Sequence, residues 1–281
     1  MYSSYFFIPS DKISFIEKVP KLQADFFIFD MEESVSTNAF NSCIGNLRSL
    51  QFIRGNFFVR IPINYCECHE AVNIIDSLYQ LGFRTFLLPK LETCQNFDGL
   101  IKQIPNNILK QIKFGLLVES PRFLIEFYTV ACTFQNLISL VLIGSHDYCN
   151  TMGCRHTEDN LLYIKQKLLS ECKALNIPLI DCVSTDFTDT DKFEEECVRS
   201  CNSGFEGRAI IHPNQLEAFN RARYYTKEEV IEAVKVKAIV DKIDKKSFST
   251  LNVDGKLYEK PHIKRIYNIA EWHLKHQFYD L

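Results

Sequence analysis

Two acids stand where long apolar runs stop. Glu119 closes "KFGLLVES" at 113–120, and Asp147 follows "LISLVLIG" at 137–144 by three residues, within "GSHDY". Two carboxylates from adjacent strands, with water in the remaining positions, make an octahedral Mg2+ site, because that ion takes oxygen ligands and keeps much of its hydration. The same acids have a plainer reading as helix-start carboxylates, since Ser120 and Pro121 look like the beginning of a helix. Other runs also end in polar groups. Asp30 and Glu32 end "DFFIFDME" with Glu33 next, Arg60 ends "NFFVRIP", Lys90 ends "TFLLPK" and His212 ends "GRAIIH". The planar fork of Arg60 suits a substrate carboxylate or a developing oxyanion, or else an ion pair with Asp30 or Glu32. Lys90 reads as a substrate contact or as an internal counter-ion. His146 reads as a wall of the site, His212 with Pro213 as part of a strand–helix turn, and the His273/His276 pair as solvated.

The elements that must position these groups follow one rhythm. Eight short runs at 4–10, 25–32, 56–62, 85–90, 113–120, 137–144, 177–185 and 207–212 are rich in Phe, Ile, Leu and Val. They are nearly continuous rather than alternating, which suits parallel strands buried on both faces. Between them, "DKISFIEKVPKL", "CHEAVNIIDSLYQLG", "DNLLYIKQKLLSECKALN" and "DKFEEECVRSCNSG" place apolar residues three and four apart, the helical spacing. Gly82 and Gly204 mark helix ends. Eight strand–helix units predict an α/β fold, a TIM (β/α)8 barrel, over residues 1–222. An open doubly wound sheet is the alternative, but "IPSDK" has Pro and Ser where a dinucleotide loop needs glycines. In a barrel, the loops after the strands converge on one face, so the run-ending residues above share a mouth. Residues 223–281 are surplus to it and predict a C-terminal helical extension, with a turn at Asp254-Gly255, that acts as a lid or contacts a neighbouring subunit.

Composition narrows the partners. Net charge is −3 over 281 residues, and the basic clusters Lys242–Lys246 and Lys260–Arg265 are short, which argues against a nucleic-acid or membrane-surface partner. There is no eighteen-residue apolar stretch, and "MYSSYFFIPSDK" lacks the basic and hydrophobic regions of a signal peptide, so a cytoplasmic protein is expected. The eleven cysteines include no C-x-x-C pair, and Cys66/Cys68 and Cys197/Cys201 fit no zinc or redox spacing. They read as small buried thiols in a reducing compartment, none of them a nucleophile.

The runs also resemble a known family in order as well as in kind. "FFIPSDKISFI", "DFFIFDMEESV", "FFVRI", "FLLPKLET", "GLLVES", "VLIGSHDY", "IPLIDCVSTDFTD" and "GFEGRAIIHPNQL", with "DGKLYEKPHIKRI" near the end, are similar to the citrate lyase beta-subunit-like proteins of the aldolase/citrate lyase superfamily. The resemblance spans almost the whole chain and implies a TIM barrel, trimeric or hexameric, that binds Mg2+. It places the metal ligands at Glu119 and Asp147 and the substrate-binding arginine at Arg60. The acidic cluster that supports metal-bound waters falls on Asp30, Glu32 and Glu33. It puts an acid–base carboxylate of the C-terminal segment, often supplied by a neighbouring subunit, at Glu259. Asp30, Arg60 and Glu259 are then the expected catalytic residues, with Glu32 and Lys90 beside Arg60 as substrate contacts. The chain departs from the family pattern at Ser3 (usually Arg), Ser10 (Gly), Pro62 (Asn), His146 (an acid) and Glu259 (Asp).

The expected activity is a Mg2+-dependent carbon–carbon lyase of the retro-Claisen type. It would cleave a citryl-, malyl- or citramalyl-like thioester, on CoA or an acyl carrier, to a 2-oxo acid and an acyl thioester. Two alternatives stand beside it: thioester hydrolysis at the same site, and a barrel that serves as metabolite sensor or partner subunit.

Overall fold

Each of the eight apolar runs forms a strand. The strands are β1 (Ser3–Pro9), β2 (Phe26–Asp30), β3 (Phe57–Arg60), β4 (Thr85–Leu88), β5 (Lys113–Val118), β6 (Ile138–Ile143), β7 (Leu179–Asp181) and β8 (Gly207–Ile210). They pair in parallel in chain order, and β1 closes on β8, with Ser3 opposite Gly207, to complete a barrel. The expected TIM barrel is the observed fold. A computed structural model of the chain describes residues 2–33, 40–52, 56–243 and 250–279; most of the Lys242–Lys246 cluster lies outside them. The chain divides into two compact units, residues 2–221 and 222–281.

The strands read as continuous rather than alternating because both of their faces are covered. Tyr5, Ile28, Phe58, Leu87, Leu117, Leu140, Ile180 and Ala209 point inward and fill the barrel. Neighbours such as Phe29, Phe86, Phe114 and Val141 point outward and are fully buried too. Helices supply that outer cover: α1 (Ile13–Ile16), α2 (Phe40–Leu47), α3 (His69–Gln80), α4 (Cys94–Gln103), α5 (Asn106–Leu109), α6 (Pro121–Thr133), α7 (Ser145–Met152), α8 (Glu158–Leu175), α9 (Thr190–Ser203) and α10 (Pro213–Arg221). Their starts are set by side chains that accept orphan backbone N–H groups: Thr93, Ser120, Thr157 and Asp189 each cap a helix this way. Gly204 ends α9 in the left-handed region at φ 101°, as its position after the apolar spacing predicts. The helix expected over 11–22 is shorter. α1 is one turn, and a 3-10 turn follows at Val19–Lys21, because Pro20 lacks the N–H that a continuing helix needs.

The 222–281 unit is not purely helical. α11 (Lys227–Val240) and α12 (Lys260–His276) are joined through an antiparallel hairpin, β9 (Thr250–Val253) and β10 (Lys256–Glu259). Asp254 (φ 49°) and Gly255 (φ 81°) form the turn; positive φ at both central residues is what a two-residue primed hairpin requires. Trp272 is buried against Tyr224 and Tyr225, and His276 stacks on Phe278 at 5.7 Å, so His276 is packed in an aromatic cluster rather than solvated. No described helix is long and apolar enough to cross a membrane.

Candidate active site

Glu119 is the residue after β5, and it is 5% exposed. Ser120, not Glu119, caps α6: its hydroxyl accepts from Phe123 N at 3.1 Å, with Pro121 next. Glu119 is therefore left to the mouth. Its Oε1 accepts from the backbone N–H of Lys90, which the left-handed conformation of Lys90 (φ 55°) turns towards it. A non-glycine residue in that region costs energy that the surrounding contacts must hold in place. The end of β6 presses on the same carboxylate. Gly144 N donates to Val118 O at 2.9 Å, and a Cβ on Gly144 would stand 2.5 Å from Glu119 Cβ. Asp147 follows in the first turn of α7, half-buried, so helix-start stabilisation and a place in the mouth coexist in one residue.

Arg60 and Asp30, paired in register on β3 and β2, meet fork to fork. Arg60 Nε donates to Asp30 Oδ1 at 2.7 Å and Nη2 to Asp30 Oδ2 at 2.8 Å. Nη2 also reaches Glu33 Oε2 at 3.2 Å, and Nη1 stands 3.5 Å from Glu32 Oε2. Burial alone would lower the guanidinium pKa, but Asp30, Glu33 and Glu32 outweigh it and keep the group charged. The ion-pair reading of Arg60 thus describes its Asp30 edge, while Nη1 is the edge least committed. Asp30 is 4% exposed, bidentate on Arg60, and also accepts from Glu32 N at 3.0 Å. A carboxylate so engaged positions Arg60. The Lys90 ammonium is paired with Glu32, which makes it an internal counter-ion as well as a rim group.

The mouth has more negative than positive charge. Asp30, Glu32, Glu33, Glu119 and Asp147 are five carboxylates set against Arg60 and Lys90. Desolvation, with Asp147 and Glu32 nearby, pushes Glu119 up to about 7 against the pull of the Lys90 N–H. Asp147 is raised by its own burial and by the negative charge of Glu33. Glu32 Oε2 is buried with no hydrogen-bond partner. Excess carboxylate, and a buried oxygen with Arg60 Nη1 at 3.5 Å but no hydrogen bond, fit a bound cation. Among the described residues no three His, Cys, Asp or Glu side chains converge as a protein-only cage. The available donor pattern is one or two carboxylates completed by water and substrate oxygen, which is the pattern of Mg2+ rather than of zinc.

These groups line a cavity of about 500 Å3 at the barrel mouth. Asp30, Glu33, Arg60, Glu119, His146 and Asp147 belong to its lining; Phe7, Leu117, Leu142, Ile143, Val183 and Ile211 make the rest largely apolar. The Arg60 guanidinium rests over the Phe7 ring at 5.4 Å. Sequence reasoning missed these apolar walls, although strand parity holds the signal, since Leu117 and Leu142 belong to the inward-facing set. His146 does line the cavity, and its ring stacks on His156 at 4.0 Å, with His156 Nε2 2.8 Å from Ser145 Oγ. His212 shapes the β8–α10 turn, its Nδ1 accepting from Asn214 N at 3.2 Å. Glu259 lies in the 222–281 unit, exposed at the end of β10, its backbone N–H donating to His262 Nδ1 at 3.1 Å.

A closed parallel barrel with carboxylates, a clamped arginine and a partly apolar pocket at its strand ends has its candidate site on the face where barrels of this class carry theirs. The chain belongs to the HpcH/HpaI aldolase/citrate lyase family, whose model matches residues 3–213. It is 23% identical over 277 residues to the citrate lyase subunit beta of Leuconostoc mesenteroides subsp. cremoris, covering 94% of this chain and 91% of that protein. It is equally 23% identical over 270 residues to a (3S)-malyl-CoA thioesterase of Cereibacter sphaeroides (93% and 91% covered) and over 287 residues to the mitochondrial citramalyl-CoA lyase of Rattus norvegicus (94% and 83%). Among solved structures, the CitE protein of Mycobacterium tuberculosis, in complex with magnesium, acetoacetate and coenzyme A, superposes with a TM-score of 0.75 at 20% identity, over 96% of this chain and 98% of that one. A citrate lyase from Burkholderia xenovorans gives 0.76 at 14% identity, over 98% and 92%.

Proposed function

We propose that this protein is a Mg2+-dependent carbon–carbon lyase that splits a 3-hydroxy-3-carboxylic acyl thioester into a 2-oxo acid and an acyl thioester. The observation that carries the reading is the convergence of Glu119, Asp147 and Arg60 on one partly apolar cavity at the strand ends. Magnesium in the related CitE complex and the lyases among the relatives support it.

Glu119 and Asp147 would hold the ion, which when bound supplies Lewis-acid polarisation of the substrate's oxygens. Arg60, oriented by Asp30, offers Nη1 to the negative charge that grows on the thioester oxygen as the carbon–carbon bond breaks. The preset fork needs no reorganisation at that moment. Phe7, Leu117 and Leu142 thin out water around the charge, which strengthens the Arg60 interaction. A base must take the hydroxyl proton and an acid must return one to the enolate carbon. We assign that exchange to Glu259, supplied by a neighbouring copy in a homotrimer or hexamer. A second reading is thioester hydrolysis, which the thioesterase relative favours.

Thermal melting with Mg2+ and pyruvate, oxaloacetate or glyoxylate, for wild type and Asp147→Asn, tests the site. A ligand at about a hundred times its dissociation constant stabilises a fold by roughly 2.7 kcal/mol. The expected result is a rise that needs both metal and oxo acid and is lost in Asp147→Asn; no rise in wild type refutes the site. Product analysis on malyl- and citramalyl-CoA then separates the chemistries. A 2-oxo acid means cleavage, and a free hydroxy acid with its skeleton intact means hydrolysis.

A further inference from the structure

α7 ends in a Schellman turn. Gly153, left-handed at φ 66°, donates to the Asn150 carbonyl at 3.1 Å, and Cys154 N reaches back to the Cys149 carbonyl at 3.0 Å. This motif brings two side chains together, one from the last helical turn and one just past the helix, and the contact is ordinarily hydrophobic. Here both are cysteines. The Cys149 Sγ is 3.9 Å from the Arg155 carbonyl, one residue beyond Cys154. Cys149 is 2% exposed, whereas Cys154 is half-buried and open to solvent. Among the other cysteines, Cys43, Cys68, Cys172, Cys182 and Cys197 are buried, in keeping with the sequence reading, whereas Cys66 and Cys132 are exposed and Cys94 and Cys201 half-buried, against it.

One accessible thiol held by backbone hydrogen bonds against one sheltered thiol has both parts of a dithiol redox site. An oxidant meets the first, and the second resolves the product. We propose that Cys149 and Cys154 are an oxidation-sensitive pair that closes to a disulfide, with a peroxide as oxidant, and so fastens the end of α7. The proposal goes beyond the lyase reading and does not rest on it. The Cys154 thiolate attacks a peroxide oxygen; the O–O bond breaks, leaving a sulfenic acid and a hydroxide that is protonated to water. Cys149 sulfur then attacks the Cys154 sulfur, the S–O bond breaks, and a second water leaves. Two thiols lose two hydrogens and two electrons, and one hydrogen peroxide becomes two waters. Closing the bond brings the sulfurs to about 2.05 Å, so the last turn of α7 is drawn onto Cys154. Asp147 sits two residues before Cys149 on that same short helix.

The test oxidises the full chain with hydrogen peroxide, alkylates free thiols and maps peptides without reduction. The expected product is a peptide holding both cysteines, lighter by two hydrogens, refractory to alkylation and restored by dithiothreitol. Amide exchange in residues 150–154 should slow by about tenfold on oxidation and not in Cys154→Ser. Full alkylation of both cysteines while other thiols oxidise would overturn the pairing. Equal slowing in peroxide-treated Cys154→Ser would overturn its link to α7. Neither readout involves the metal, so a failed lyase assay leaves the result standing.

Discussion

At the scale of single residues, the most demanding position is one that carries no functional group. Gly144 lies where the end of β6 crosses the backbone of Glu119, and a methyl there would meet Glu119 Cβ at 2.5 Å, with Glu119 Oε2 at 3.0 Å. The clash is with the Cβ of a buried residue, not with the end of a flexible side chain, so the neighbour cannot simply swing aside. Gly144→Ala should cost about 1–3 kcal/mol, the usual range for overpacking. It should also displace the carboxylate from the Lys90 N–H, weakening the Mg2+ and oxo-acid melting response well beyond the loss of stability. Urea titration and the melting assay together check this; an unchanged ligand response would show that Glu119 does not depend on that approach. The place of Glu119, Asp147 and Arg60 at the barrel mouth was legible because each ends or closely follows an apolar run, although the runs alone left the helix-start and ion-pair readings open. The need for glycine at 144 was not, since it arises from an approach between two strand ends that are 25 residues apart in the chain. The engagement of Asp30 with Arg60 was legible only as an alternative, because local sequence does not record which oxygen faces which nitrogen.

At the scale of elements, the barrel was legible because strands buried on both faces leave uninterrupted apolar runs. The exception lies within two of those runs. Asp181 on β7 and Arg208 on β8 are 2% exposed and joined at 2.6 Å, with Glu196 of α9 on Arg208 at 2.7 Å and Lys165 of α8 3.3 Å from Asp181. Their partners come from four different elements, so nothing in "IPLID" or "GRAII" taken alone announces the cluster. Burial pushes the Asp181 carboxyl up, but Arg208 and Lys165 outweigh it and hold it below its ordinary value. A lowered folded-state pKa means that the contribution is fully present above the unfolded-state value of about 3.9 and is lost as pH falls through the folded one. Asp181→Asn should therefore cost about 3–5 kcal/mol at neutral pH, the usual range for breaking a buried pair. Between pH 5 and 3 the mutant should lose less stability than wild type. Urea midpoints across that range decide it; parallel acid limbs would mean that Asp181 is not the linked group.

At the scale of the whole molecule, the groups assigned to the reaction are divided between two units. Asp147 and Arg60 belong to 2–221 and Glu259 to 222–281. If Glu259 serves the barrel of a neighbouring copy, two variants that are each inactive should complement one another. Asp147→Asn chains lack the proposed metal ligand but keep Glu259; Glu259→Gln chains lack the proposed acid–base carboxylate but keep Asp147. In a ring of heterologous contacts, random co-assembly in equal amounts unites a sound barrel with a sound Glu259 at roughly a quarter of the sites. Co-expressed variants should therefore recover about a quarter of wild-type turnover, while each alone has none. If Glu259 served its own barrel, every site would lack one group whatever the mixture, and nothing would be recovered. Substantial turnover by Glu259→Gln alone would remove that residue from the chemistry altogether. Glu259→Asp adds a finer measure. The family pattern has Asp here, one methylene shorter, and a shift of about an ångström in a proton-transferring group can change rate a hundredfold. The direction of that change shows whether this mouth has been rebuilt around the longer side chain. A fall in turnover means that it has; a rise means that the longer acid is a poor fit in a site still shaped for the shorter one.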